Sequence, residues 1–166
     1  MKQIKPNEIS SIVFDNIAGG FFLNTSNGTQ DNTMVIGWGG LQFMHGRQCF
    51  LVPVRPSRHT YKLLNENGYF TISISLHNMI EQIKFAGTQS GRDVDKWQGH
   101  GLSKAPAQIV NVPIVAECEL HIECKVISYA DMREEALDED TRRRCYPYGD
   151  LHRFYMGEIL TCYYSK

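Results

Sequence analysis

No stretch of this 166-residue chain approaches the ~20 consecutive apolar residues that a membrane-spanning helix needs. The opening residues, MKQIKPNEIS, contain no apolar signal core. A cytoplasmic protein without a membrane partner is therefore expected. Neither sign of charge is in surplus. The 17 Lys and Arg nearly balance the 18 Asp and Glu, and the formal net charge is -1. That excludes a basic field of the kind that draws nucleic acid. Cysteine is sparse and odd in number, at five, with no C-x-x-C pair. Free, mostly buried thiols are expected, with Cys49 in the core. The six histidines form no H-x-H or H-E-x-x-H, so no metal site is expected. The G-x-G-x-x-G fingerprint, the P-loop and the G-x-S-x-G elbow are all missing. There is no repeat, low-complexity tract or clear linker, and residues 1–166 read as one domain.

What is present is strand pattern. GFFLNTS (20–26) and TMVIGWG (33–39) flank the turn-rich NGTQDN, with Asn27-Gly28 as the turn. QCFLVPV (48–54) is a third strand, in which Pro53 suggests an edge or a bulge. YFTISISL (69–76) alternates with period two. VAECELHIECKVISY (115–129) places Leu120, Ile122 and Cys124 on one face and His121, Glu123 and Lys125 on the other, which predicts a half-solvated strand. HRFYMGEILTCYY (152–164) is the last strand. Helices are expected at RHTYKLLNEN, ending at Gly68, and at NMIEQIKFAG. A third is expected at GRDVDKWQG, with Ser90 as N-cap and Asp93 three residues on. The mixed-charge run Arg133–Arg144 reads as a solvated loop or frayed helix. The fold class is mainly β with short helices, and the strand pattern suggests a closed barrel with helical decoration.

Three constellations could carry chemistry. In VRPSRHTYKLL a strand runs into a helix. With Ser57 as N-cap, the first-turn amides, Arg55, Arg58, Ser57 and Thr60 would form an anion site. The alternative is a capped surface helix whose arginines meet carboxylates. In GTQSGRDVDKW, a second presumptive helix start brings Thr88, Ser90, Gly91, Arg92 and Lys96 together. In DNTMVIGWGG, three glycines around Trp38 would let backbone approach a flat ligand. Charge-assisted hydrogen bonds contribute roughly 1.5–3 kcal/mol each, whereas micromolar binding needs about 8 kcal/mol net. A phosphate grip alone is marginal. A ligand with both a phosphate and a flat apolar body, a mononucleotide such as FMN, would use all three segments.

These segments, with FTISIS, AECELHIECKV and HRFYMGEI, occur in the order found in the flavin reductase-like family. The chain most resembles its flavoredoxin branch, from about Asn32 to Ile159. The resemblance implies an FMN-binding split β-barrel, usually homodimeric. It implies that Arg55, Ser57, Arg58 and Thr60 hold the phosphate or the nearby flavin edge. Asn32, Thr33, Met34 and Trp38 would line the isoalloxazine, and Thr88, Ser90, Gly91 and Lys96 would close the site. His152 resembles the family histidine that reaches the flavin. Arg92 and Asp93 would be structural. Ala86 stands where relatives often have Cys, and Val35 where a Thr is common. The implied activity is NAD(P)H-dependent flavin oxidoreduction, with NADH or NADPH as hydride donor and no protein nucleophile. Lys96 or His152 would stabilise the charge of the reduced ring. The alternative is a flavoredoxin-like electron carrier reduced by a redox protein partner.

Overall fold

The computed structural model describes residues 1–165. Its elements in chain order are β1 (Lys2–Gln3), α1 (Ser10–Asn16), β2 (Phe21–Ser26), β3 (Asp31–Ile36), β4 (Gly40–Met44), β5 (Arg47–Val54), α2 (His59–Asn67), β6 (Tyr69–Ile74), α3 (Ile80–Thr88), β7 (Lys104–Ala105), β8 (Ile114–Val115), β9 (Leu120–Asp131), α4 (Glu139–Cys145) and β10 (Arg153–Tyr164). Eight strands form one antiparallel sheet in the order β3-β2-β6-β9-β10-β5-β4, with β1 added to β10. The sheet curls without closing, in place of the closed barrel that the strand pattern suggested, because β3 and β4 do not pair. Its outermost strands, β3 and β4, are consecutive in the chain and are separated only by Gly37, Trp38 and Gly39. This is the geometry of a split barrel.

The period-two pattern fills the barrel. Phe21 and Leu23, Phe70, Ile72 and Ile74, Leu120 and Ile122, and Phe50, Val52 and Val54 are all buried in one cluster. Burying each such side chain contributes roughly 1.5–3 kcal/mol. A second cluster, Phe22, Met79, Ala86, Leu102 and Val115, seats α3 on the other face of β2. Pro53 lies beyond the last residue of β5 that β4 pairs with, Leu51, so its missing N–H removes no bond to β4.

Several expectations change. β4 and α1 have no counterpart in the strand and helix assignments above. Residues 91–99 are a succession of turns, not a helix. Ser90 does bond its own downstream backbone, but α3 ends at Thr88 and nothing propagates a helix beyond it. The opposite face of β9 is solvated only from Lys125 onward. His121 and Glu123 are fully buried under the connection from Pro106 to Glu119. Glu123 accepts the amides of Gln108, Ile109 and Val110 and the Tyr163 hydroxyl. Thr71 donates to the Pro113 carbonyl, and Ser73 accepts the Val115 amide. The Arg133–Arg144 run is largely exposed, as expected, and from Glu139 it forms α4, capped by the Asp138 side chain accepting from the Thr141 amide, with three arginines at its C-terminal end.

Candidate functional site

Two adjoining cavities lie where β3, the β5–α2 junction and the end of α3 meet. The first, about 190 Å³, is walled by Met34 to Trp38, Pro53, Arg55, Arg58 and His152. The second, about 120 Å³, lies between Asn32, the α2 start from Ser57 to Thr60, and the turn from Gln89 to Arg92, with Lys96 behind. Met34 and Arg58 face both, so the two form one groove.

The backbone around Trp38 sets the first cavity. Gly39 has φ +108, and a side chain there would run into the Leu51 carbonyl. The chain can thus fold tightly over β5 and leave Trp38 about half exposed, with its ring centroid 5.1 Å from that of His152. His152 is buried, and its Nδ1 meets the Tyr146 hydroxyl at 2.7 Å. Burial, reinforced by Arg55, lowers the His152 pKa to about 4, so the ring is neutral at pH 7. It cannot offer a cation to a reduced ring at that pH. It can offer one N–H.

In the second cavity, the N-cap of α2 is Arg58, not Ser57, and no side chain caps the helix. Ser57 is turned elsewhere. Its hydroxyl donates to Asp150 Oδ2 at 2.6 Å and its amide to Asp150 Oδ1 at 3.2 Å. Thr60, fully buried, accepts the Asn32 side-chain amide at 2.8 Å. Gly91 is required because a Cβ there would collide with Asn32 Oδ1. Lys96 is buried and donates to the Thr33 carbonyl at 2.9 Å and the Ala86 carbonyl at 2.7 Å. Desolvation, with the Arg58 charge added, lowers its pKa to about 8. Lys96 therefore ties β3 to α3, and one of its three protons remains for a ligand.

The structure brings most of the sequence-derived residues together. Asn32, Met34, Trp38, Arg55, Ser57, Arg58, Thr60, Ser90, Gly91, Lys96 and His152 all line the groove. Thr33 and Thr88 do not. Thr33 is fully buried on the opposite face of β3, and Thr88 donates back to the Lys84 carbonyl. Arg55 is already engaged, donating to the Cys145, Gly149 and Asp150 carbonyls and lying over the Tyr146 ring. Arg92, named with the second constellation and expected to be structural, ties its turn to the start of α2, whereas His59, Tyr146 and Asp150 escaped sequence reading. Arg92 donates to the Ser57 carbonyl at 2.8 Å. The imidazole of His59 borders the second cavity with both nitrogens enclosed and unpartnered. Tyr146 and Asp150 arrive from a loop about 90 residues downstream of Arg55. Only the His59 position, in the first turn of a predicted helix, carried any local signal.

Flavoredoxin of Desulfovibrio vulgaris (Miyazaki F) is 25% identical, with a TM-score of 0.69 over 89% of this chain and 69% of that one. An FMN-binding domain of a flavin reductases-like enzyme from Shewanella baltica has a TM-score of 0.72 at 15% identity, over 99% and 78% of the two chains. The NADH:FAD oxidoreductase SgcE6 of Streptomyces globisporus has a TM-score of 0.67 at 14% identity, over 99% and 87%. The flavin reductase like domain profile matches residues 14–166. With a split barrel whose open seam carries this groove, the chain belongs to the flavin reductase-like family.

Proposed function

We propose that the groove binds FMN and that the protein is an NAD(P)H-dependent flavin oxidoreductase. The observation that carries this reading is the continuity of two unlike cavities. One is bounded by Met34, Pro53 and the Trp38 loop and suits a flat ring. The other has a helix N-terminus and two arginines and suits an anion. The polar groups without partners support the fit. Both His59 nitrogens are enclosed and unsatisfied. Buried polar atoms of that kind are rare unless something else meets them.

Bound FMN would supply two-electron chemistry, with hydride arriving from NADH or NADPH. The residues would then bind and orient it. Arg58, the first-turn amides of α2 and Arg92 surround the anion end. Asn32, fixed by Thr60, presents its remaining carboxamide oxygen beside Gly91. Neutral His152 pairs with the Tyr146 hydroxyl through Nδ1, and in the tautomer that carries its proton on Nε2 it would donate that proton to a ring carbonyl. Lys96 offers its third proton, and its charge would oppose negative charge on the ring. A flavoredoxin relative favours the second reading, an electron carrier reduced by a protein.

Purified protein should quench FMN fluorescence, and indifference to FMN would sink the proposal. Anaerobic mixing of the loaded protein with NADH and with NADPH separates the two readings. Bleaching of the flavin band within seconds marks the oxidoreductase. Bleaching by dithionite alone marks the carrier. Arg58→Ala should raise the FMN dissociation constant about tenfold while leaving riboflavin nearly unchanged.

A further inference from the structure

The segment from Cys145 to Asp150 is held against the β5–α2 junction, beside the groove. Arg55 holds it by the Cys145 carbonyl at 2.8 Å and the Asp150 carbonyl at 3.1 Å. Asp150 then closes on Ser57 with both carboxylate oxygens, one on the hydroxyl and one on the backbone amide. Its backbone is left-handed, at φ +56, a conformation that a non-glycine residue adopts at some cost. Ser57 also borders the second cavity. The Ser57 hydroxyl that sequence reading gave to a ligand phosphate, and the Ser57 amide beside it, are thus held by an anion of the chain itself.

We propose that Asp150 is a specificity-determining residue, a built-in competitor for the phosphate of the flavin. The inference rests on the flavin reading of the groove. Ser57 has one amide proton and one hydroxyl proton to give, and the Asp150 carboxylate takes both. A phosphate that reaches Ser57 must displace that carboxylate. One that stops at Arg58 meets its negative charge nearby. Either way phosphorylated flavin is penalised and unphosphorylated flavin is not. Asp150 therefore narrows the preference for FMN over riboflavin and makes bound FMN exchangeable. Release of Asp150 need not free the whole segment, because the Arg55 bond to the Cys145 carbonyl remains.

The test is a pair of fluorescence-quenching titrations, FMN and riboflavin, on the full chain and its variants. Asp150→Gly removes the carboxylate, and glycine suits the left-handed backbone. It should tighten FMN roughly fivefold and leave riboflavin within about twofold. Asp150→Asn keeps the shape and tolerates the same φ, and should shift the ratio the same way by less. Ser57→Ala should weaken FMN more in the Asp150→Gly background than in the wild type, because only there is Ser57 free for the phosphate. An FMN affinity unchanged or weakened in Asp150→Gly, or an equal gain for both flavins, overturns the role of Asp150. Quenching of neither flavin by the wild type overturns the flavin reading, and this proposal with it.

Discussion

At the scale of single residues, Lys96 and His152 show how burial changes what a side chain can offer. Lys96 has its pKa lowered from 10.5 to about 8. Between those values the unfolded chain holds a proton that the native state has released, so stability rises with pH across that window. The desolvation penalty is fully felt below about pH 8. Lys96→Met should abolish this rise, as read from urea midpoints between pH 8 and 10.5 relative to the wild type. For His152, the fall from 6.5 to about 4 means that stability is lost as pH drops through that interval and no further below it. An NMR titration should find the His152 ring neutral down to about pH 4, and His152→Gln should remove its part of the acid destabilisation. A ring titrating near 6.5 would contradict the burial argument. Neither property could be read from the sequence. The segment that holds Lys96 was legible as a constellation and His152 only through the family resemblance, and the carbonyls that capture Lys96 and the tyrosine that meets His152 are tertiary neighbours.

At the scale of elements, patterns local to the chain were reliable where they were sufficient. α2 ends at Gly68 in the left-handed conformation, as its sequence demanded. The capping pattern at Ser90 misled because the same hydrogen bonds that start a helix also close a turn. β9 shows a different limit. Alternation identifies two faces but does not say what covers the polar one. Here a long connection does, and Glu123 fastens it through three amides. Glu123→Ala would leave those amides without their acceptor. It should cost about 3 kcal/mol in urea unfolding, within the range for breaking a buried charged network. Hydrogen exchange at the amides of residues 108–110 should accelerate even in conditions where the barrel stays folded. Unchanged protection there would show that the connection is held by other contacts.

For the molecule as a whole, the packing of the barrel wall depends on Gly157. It sits at a register shift between β10 and β9, and a Cβ there would overlap the Phe70 ring and press on Cys124. Gly157→Ala should destabilise by roughly 1–3 kcal/mol through overpacking, measured by denaturant unfolding. A neutral result would mean that Phe70 has room to retreat. In sequence, GEI was legible only as part of a family resemblance, because the reason for the glycine lies on β6. The overall class, a strand-rich barrel with a strand-to-helix junction beside its groove, was legible because alternation and helix starts are local. The closing geometry was not, because it depends on which strands meet across long intervals.

That ordering of strands also has a consequence in time. β10 is the central partner, lying between β9 and β5, yet its pairing of Arg153 with Val54 spans about 100 residues of chain. The β4–β5 hairpin can form early and must then wait, its apolar inner face unprotected, until β10 has been synthesised. Loop closure over such a distance is slow compared with hairpin formation. On the ribosome, the half of the barrel that carries the Trp38 loop exists first as an unpaired, aggregation-prone ribbon. The groove, with His152 at the start of β10, is complete only when β10 pairs.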